Sequence, residues 1–487
     1  MKRPRRFLAC DLGAESGRAM LGEFDGRRLK VREVSRFPNR TLELNGHLFW
    51  DVWRLLDDIK AGMHVCAASE PTSVGIDTWG VDFGLLAANG TLLGLPYSYR
   101  DKRTAGAMSR FLKLVPKRRV YELTGTQFLP INTLYQLCSM VRDKSPLLDV
   151  ASDLLFMPDL LAYLLTGRKA TEFTLASTSQ LYNPAKRVWA AELFKALRLS
   201  KNLMQDVVQP GTEIGRLSPA IASEVGFKRT RVVATASHDT AAAVAAVPAE
   251  GDAWMFISAG TWSLVGVEVG QPITSSLALR HNFTNEGGVG GRFRFLKNVT
   301  GFWLLQQLVR SWAVPAEYGT LMEEAAAATP FRSTIDPDAI CFQGPNDMGK
   351  AIAGYCRRTR QPVPRSRAEQ VRAVLESLVL KYRLVRDELE KVTGRKLEQL
   401  HIVGGGARNS LLCQMTADAL GLPVLAGPAE AAAIGNIMVQ AMAAGLVATL
   451  EGIRTVVHDS CTLTQYQPRP SPHWDTAFRW FCGLLGG

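Results

Sequence analysis

The sequence predicts an α/β protein built as two related halves, and three observations carry that reading. The first is a glycine-bearing hairpin near the start of the chain, Phe7-Leu-Ala-Cys-Asp11-Leu-Gly13-Ala-Glu15-Ser16-Gly17-Arg18-Ala-Met-Leu21. The second is its echo about half the chain later, Ala253-Trp-Met-Phe-Ile-Ser258-Ala-Gly260-Thr261-Trp-Ser263-Leu-Val-Gly266. In each copy an apolar run stops at a short polar residue, turns through glycine and resumes, so that Asp11 answers Ser258, Gly13 answers Gly260 and Ser16 answers Ser263. A repeated unit settles architecture before any chemistry is argued. The third observation is that short apolar runs alternate with amphipathic stretches through both halves, the pattern of strands and helices in one chain.

In the first half, residues 7–10 read as a buried strand and residues 19–21 as its return. Asp25-Gly26 marks a tight turn into a third strand over 28–37. Trp53, Leu56, Ile59 and Met63 fall at helical spacing within 50–66, with Asp51 available near the helix start. Residues 73–77 form the next strand and run into Thr78-Trp79-Gly80-Val81-Asp82-Phe83, a glycine bend between two carboxylates. Three antiparallel strands, a helix and a further strand are the order of a ribonuclease-H-like unit. Amphipathic helices and polar loops fill 100–230, and an apolar run over 231–236 delivers Ser237-His238-Asp239-Thr240. Residues 248–252 are the expected hinge, giving halves of 1–247 and 248–487, the last residues packing back on the first.

The second half opens with the repeated hairpin. Apolar spacing over 366–393 predicts a long helix, and 400–403 a buried strand ending in Gly404-Gly405-Gly406, with Asn409 placed to cap the next helix. A strand, a glycine turn and a helix N-terminus make a seat for a nucleotide phosphate, or simply a joint.

At 487 residues the chain exceeds one core, and 47% hydrophobic with 21% charged residues is an ordinary globular composition. The net charge of +12 is scattered apart from Lys2-Arg3-Pro4-Arg5-Arg6, so no banked basic helix or aromatic ladder points to nucleic acid. A general positive field suits an anionic ligand. Eight separated cysteines without a Cys-x-x-Cys pair read as free thiols of a reducing, cytoplasmic compartment. No secretory leader is read at the start, and the apolar stretch 438–450 suits a buried helix better than a membrane span.

Two motifs invite the wrong chemistry. Gly344-Pro-Asn-Asp-Met-Gly349-Lys350-Ala351 approaches a P-loop, but Ala351 lacks the hydroxyl that holds magnesium and Pro345 removes a backbone donor. Ser237, His238 and Asp239 are consecutive on extended chain, so they point to alternate sides and cannot relay a proton in sequence. Asp239 can act alone as a base at a strand end, or can cap the helix that follows.

The motifs Asp11-Leu-Gly-Ala-Glu-Ser-Gly-Arg18, Gly75-Ile-Asp-Thr-Trp-Gly-Val-Asp-Phe83, Ser237-His-Asp-Thr240, Ser258-Ala-Gly-Thr-Trp-Ser263 and His401-Ile-Val-Gly-Gly-Gly406 together resemble the FGGY carbohydrate kinases, from about residue 7 to about 470. The resemblance implies an actin-like ATPase fold of two ribonuclease-H-like domains flanking a nucleotide and sugar cleft. It implies transfer of the ATP γ-phosphoryl, with Mg2+, to O1 of a ketose, L-rhamnulose or a relative such as L-fuculose. By resemblance Asp239 is the general base, and His238, Thr240 and the backbone at Gly80 hold the sugar. Gly13, Ala14, Glu15, Ser16, Gly17 and Arg18 line the phosphates, Thr261, Asn298, Gln306 and Gly405 contact the nucleotide, and Asp11 takes magnesium through water. The implied partners are therefore ATP and a small sugar, without nucleic acid or membrane, on a monomer or homodimer. A non-catalytic nucleotide-binding protein of the same fold is the rival reading, and it has no need of Asp239. Glu15 departs from the family's small hydroxylated residue, and alanines replace Ser or Thr in 426–436. Trp79 and Phe83 can wall a sugar methyl group or serve the core.

Overall fold

A computed structural model describes residues 4–312 and 317–486. The chain forms two compact units. The first comprises Met1–Pro248, Glu268–Leu296 and Ala431–Cys461, and the second Ala249–Val267, Lys297–Glu430 and Thr462–Gly487.

The first unit is organised on a six-stranded sheet. Strand Arg5–Leu12 pairs antiparallel with Ser16–Phe24, which pairs antiparallel with Leu29–Pro38. On its other side Arg5–Leu12 runs parallel to Ser73–Thr78, and that strand runs parallel to Arg231–Ala234. Thr212–Arg216 closes the edge antiparallel. Strands covered on both faces read as unbroken apolar runs rather than alternations, and Phe7, Leu8, Ala9 and Cys10 are all buried.

Helix Val52–Val65 is capped by the Asp51 side chain, which accepts from Arg54 N–H. It buries Val52, Leu55, Leu56, Ile59 and Met63, while Trp53 stands half exposed. The spacing thus placed Leu56, Ile59 and Met63 on the buried face, and only Trp53 falls off it, its turn of that face being filled by Val52. Trp50, expected within this helix, instead ends the short hairpin Thr41–Leu44 with His47–Trp50 and is fully buried, its ring 4.1 Å from that of Trp79.

Helix Ala431–Ala443 packs on this sheet through polar side chains. Gln440 accepts from Ser73 Oγ at 2.7 Å and donates to the Leu8 carbonyl at 3.0 Å. Asn436 donates to Asp77 Oδ2 at 2.5 Å and to the Gly75 carbonyl at 3.2 Å. Gly75 leaves the room for this, since a Cβ there would lie 2.5 Å from Asn436 Oδ1. A hairpin of Thr284–Gly287 with Phe293–Leu296 completes the unit, with Glu286 directly opposite Arg294.

In the second unit, Trp254–Ala259 pairs antiparallel with the strand beginning at Trp262 and parallel with Gln399–Val403. Val424–Ala426 extends the sheet in parallel and Thr464–Tyr466 finishes it antiparallel. The 27-residue helix Arg367–Thr393 starts at a Ser366/Glu369 capping box and stops at Gly394 in the left-handed region. Among the described residues no helix is long and apolar enough to cross a membrane.

Candidate active site

In the first unit three carboxylates gather at strand ends. Asp11 closes the first strand, and its Oδ2 accepts from Arg18 Nε at 2.9 Å and Nη2 at 2.7 Å. Asp77 stands beside it in parallel register and is fully buried. Burial raises the Asp77 carboxyl well above the usual carboxylate range, the charge of Asp11 raises it further, and the Asn436 hydrogen bond opposes both. The third carboxylate is Asp239.

The turn after Asp11 is closed by Gly13 N–H donating to the Ser16 carbonyl at 2.9 Å. Asn39, which the sequence did not single out, holds the loop from behind: its N–H donates to the Glu15 carbonyl and its Nδ2 to the Gly13 carbonyl, both at 2.9 Å. Ser16 is exposed, while Gly13, Ala14, Glu15 and Arg18 are partly buried. Gly17 owes its lack of a side chain to packing, because a Cβ there would run into the Phe37 ring at 2.1 Å.

Ser237 and His238 carry the strand line beyond the sheet before the helix begins. Thr78 N–H donates to the Ser237 carbonyl at 2.9 Å, and Thr78 bridges to His238. Asp239 is the first residue of helix Asp239–Ala245, and His238 occupies the cap position without capping it by its side chain. The helix-cap reading of Asp239 is therefore displaced by one residue. Its Oδ1 accepts from Thr240 N–H at 2.5 Å and Thr240 Oγ at 3.0 Å, and His238 Nε2 lies 3.5 Å from the same oxygen. Oδ2 makes no hydrogen bond among the described residues, and the side chain keeps 32% of its surface exposed. Desolvation raises the Asp239 carboxyl, His238 lowers it and Asp11 raises it. The Ser237 hydroxyl donates to the Thr235 carbonyl and takes no part in a triad.

Glu172 supports this segment from a position no spacing rule selects. Its Oε2 accepts from the N–H groups of Thr174, Leu175 and Ser237 and from the Thr174 hydroxyl. Thr174 Oγ in turn accepts from His238 N–H at 3.0 Å. Burial lifts the Glu172 carboxyl to about 7 against the pull of those donors.

Gly80 precedes Val81, a β-branched residue held at φ 69°, where such residues are rare. Thr133 Oγ donates to the Val81 carbonyl at 2.7 Å, and Thr178 Oγ accepts from its N–H at 3.3 Å. Asp82 anchors the bend by accepting from Trp50 Nε1, Trp79 Nε1, Tyr99 N–H and Gln136 Nε2. Trp79 and Phe83 are both buried, so they belong to the core and form no open wall for a methyl group.

In the second unit the repeated turn is one residue tighter, with Gly260 N–H donating to the Trp262 carbonyl at 2.9 Å. Phe302 N–H donates to the Gly260 carbonyl, which seats helix Trp303–Arg310, carrying Gln306, against that turn. The Thr261 carbonyl accepts from Gly301 and Trp303 N–H. Gly404 and Gly406 press on Ala259, while a Cβ at Gly405 would meet open space. The glycines lead into a 3-10 turn, Gly405–Arg408, before Asn409 caps helix Ser410–Leu420. A short turn thus stands between these glycines and the helix, where the sequence reading joined them directly. Asn298 lies on strand Phe293–Thr300. Residues 344–351 form no P-loop: Asp347 caps helix Met348–Arg358 by accepting from Lys350 N–H, and the Lys350 side chain is 87% exposed.

Models of the N-terminal and C-terminal domains of the FGGY family of carbohydrate kinases match residues 7–246 and 255–444. The chain belongs to the FGGY family of carbohydrate kinases. Such a kinase acts on a sugar with ATP as phosphoryl donor. This FGGY kinase is 45% identical to the rhamnulokinase of Bacteroides thetaiotaomicron, over 97% of this chain and 98% of that one. It is 39% identical to the rhamnulokinase of Bacillus subtilis, with 95% of each chain covered. Gluconate kinase from Lactobacillus acidophilus superposes with a TM-score of 0.81 at 15% identity, covering 99% of this chain and 98% of that one. Plasmodium falciparum glycerol kinase with ADP superposes at 0.77 and 12% identity with the same coverage. The FGGY kinase thus has the actin-like fold that the family resemblance implied, in agreement with its duplicated hairpins.

Proposed function

We propose that this FGGY kinase transfers the γ-phosphoryl group of ATP to O1 of L-rhamnulose, giving L-rhamnulose 1-phosphate and ADP, with Asp239 as general base. The observation that carries the mechanism is the part-buried Asp239 carboxylate at the start of helix Asp239–Ala245, with Oδ1 engaged and Oδ2 open. The substrate rests on 38–45% identity to rhamnulokinases over nearly the whole chain.

Phosphoryl transfer asks a protein for alignment, charge neutralisation and one proton acceptor. As O1 forms its bond to the γ-phosphorus, the bond to the β,γ-bridging oxygen breaks and its electron pair leaves with ADP. The O1 proton passes to Asp239 Oδ2. His238, Thr240 and the Gly80 backbone hold the sugar hydroxyls, the 13–18 turn lines phosphate, and Thr261, Asn298, Gln306 and Gly405 contact the nucleotide.

Asp11 fits magnesium in kind, because Mg2+ takes hard oxygen ligands and retains several waters. Burdened by the neighbouring carboxylates of Asp77 and Asp239, Asp11 stands where a cation relieves repulsion. Bound there, the ion would neutralise phosphate charge.

The two family-model matches support halves dividing at 247/248. The proposal includes a cytoplasmic enzyme, monomer or homodimer, without nucleic-acid or membrane partners.

The test is coupled ADP release with Mg2+ and ATP on L-rhamnulose, L-fuculose, D-xylulose, glycerol and no sugar, each repeated with Asp239→Asn. Turnover on L-rhamnulose that falls roughly 10²–10⁴-fold in the variant is expected. Turnover on another sugar alone replaces the substrate, and nucleotide binding without turnover on any sugar replaces the kinase by a non-catalytic nucleotide-binding module.

A further inference from the structure

Behind His238 lies a charged pair that the reaction itself does not use. Arg294 is completely buried and stands opposite Glu286 in the 284–296 hairpin. Its Nη1 lies 3.1 Å from Glu286 Oε2, its Nε donates to the Gly287 carbonyl at 2.9 Å, and its Nη2 reaches His238 Nδ1 at 3.2 Å. A guanidinium has five donors and no acceptor. The bond to His238 therefore requires Nδ1 to accept, and the proton of the neutral imidazole sits on Nε2.

The second ring nitrogen decides the consequence. Nε2 lies 3.5 Å from Asp239 Oδ1, the oxygen that already accepts from both donors of Thr240. With its proton there, His238 faces the carboxylate as a donor. The opposite tautomer would set a nitrogen lone pair against Oδ1 and turn its Nδ1–H toward Arg294. Glu286 Oε2 lies 3.4 Å from Nδ1, farther than Arg294 Nη2 at 3.2 Å, and sits 3.1 Å from Arg294 Nη1, where it balances the buried guanidinium.

We propose that Arg294, held by Glu286, is a positioning residue that locks His238 as the Nε2–H tautomer, so that its one ring N–H is presented on the Asp239 side, toward Oδ1 and the sugar hydroxyl bound there, and Oδ2 is left as the proton acceptor. The inference rests on the reading of Asp239 as general base and adds what orients it. A tautomer is set by the bond the other ring nitrogen makes, and the loss is expected at about the 10–100-fold that orienting partners of metal-bound histidines carry.

The test begins with the unmodified protein. Two-bond nitrogen–proton correlation spectra of 15N-histidine-labelled enzyme at pH 7.5 separate the two neutral tautomers and the imidazolium, and the His238 signal among the seven histidines is assigned by its loss in His238→Gln. A single Nε2–H pattern is expected. An Nδ1–H pattern, an averaged one or an imidazolium overturns the proposal whatever any variant does. Arg294→Met combined with Glu286→Gln then removes donor and charge together. That variant is expected to lose the single tautomer and about 10–100-fold in kcat, with KM for ATP unchanged, while Arg294→Lys recovers part of both. A folded double variant with wild-type tautomer and kcat overturns the proposal. Asp239→Asn run alongside separates the two ideas: retained activity sinks the general base, whereas an Nδ1–H His238 in an Asp239-dependent enzyme sinks only the tautomer lock.

Discussion

Asp11 and Asp77 stand side by side in the parallel register of strands Arg5–Leu12 and Ser73–Thr78. Burial raises the Asp77 carboxyl, and the Asp11 charge adds to it. Only Asp11 retains the Arg18 guanidinium as a counter-ion. Asp11→Asn is expected to raise the Mg2+ concentration needed for half-maximal ADP release by about 10–100-fold, with folding unchanged by circular dichroism. Unaltered Mg2+ dependence would remove Asp11 from the ion.

Gly435 and Gly354 both lie inside helices, and alanine at each should act in opposite directions. A Cβ at Gly435 would sit 1.8 Å from the Ala242 carbonyl oxygen, a backbone atom of the facing helix Asp239–Ala245 that cannot step aside. Gly435→Ala is expected to cost roughly 1–3 kcal/mol or more by overpacking and to disturb the helix that begins at Asp239. At Gly354 a Cβ would meet only the Arg358 guanidinium at 3.6 Å, so Gly354→Ala should stabilise by about 0.4–1 kcal/mol through the unfolded chain. Thermal melts of the two variants check the contrast.

Asp82 accepts three donors on Oδ2 and Gln136 Nε2 on Oδ1. Asp82→Asn keeps an acceptor for the first three only by turning its amide N–H2 on Gln136. Gln136 cannot simply flip, because its Oε1 accepts from the buried Arg103 at 2.6 Å. The variant is expected to lose roughly 1–3 kcal/mol and to weaken sugar binding more than ATP binding, since the bend carries Gly80. Equal effects on both KM values would argue against that bend as a sugar contact.

Buried acids predict how stability depends on pH. Glu172 moves from an ordinary 4.5 to about 7, and Asp82 from 3.8 to about 6, each chiefly by desolvation. The folded state therefore holds these protons where the unfolded chain has released them. Their contribution is fully present below about pH 4 and is lost as pH rises through about 6 and 7. For Glu172 the displacement corresponds to roughly 3 kcal/mol. Glu172→Gln should flatten the decline in unfolding free energy between pH 4.5 and 7.5, and curves that stay parallel to wild type would contradict it.

Much of the fold was legible because its signals are short-range. The continuous apolar run at 7–10, the glycine turns after Asp11 and Ser258, and the Asp51 and Asn409 caps each involve residues a few positions apart. Turn and cap chemistry of that kind is decided by local backbone sterics and hydrogen bonding. The motif residues Asp11, Gly80 and 237–240 were legible for the same reason, because a strand that runs into a polar or glycine turn marks its own end in the sequence. Trp53 was misplaced because helical spacing leaves the edge of the apolar face uncertain by one residue while fixing its centre at Leu56, Ile59 and Met63, and Trp50 completes the hairpin that sets the start of that helix.

By itself, then, the sequence determined two related α/β halves, their strand ends and the carboxylates displayed there. Only tertiary structure decided what stands behind those carboxylates. Asn436 reaches Asp77 across 359 positions, Glu172 reaches Ser237 across 65 and Arg294 reaches His238 across 56. It also decided that 268–296 and 431–461 join the first compact unit. Such partners leave no periodic trace, because a buried polar group needs a mate in space and any segment that packing brings near can supply it.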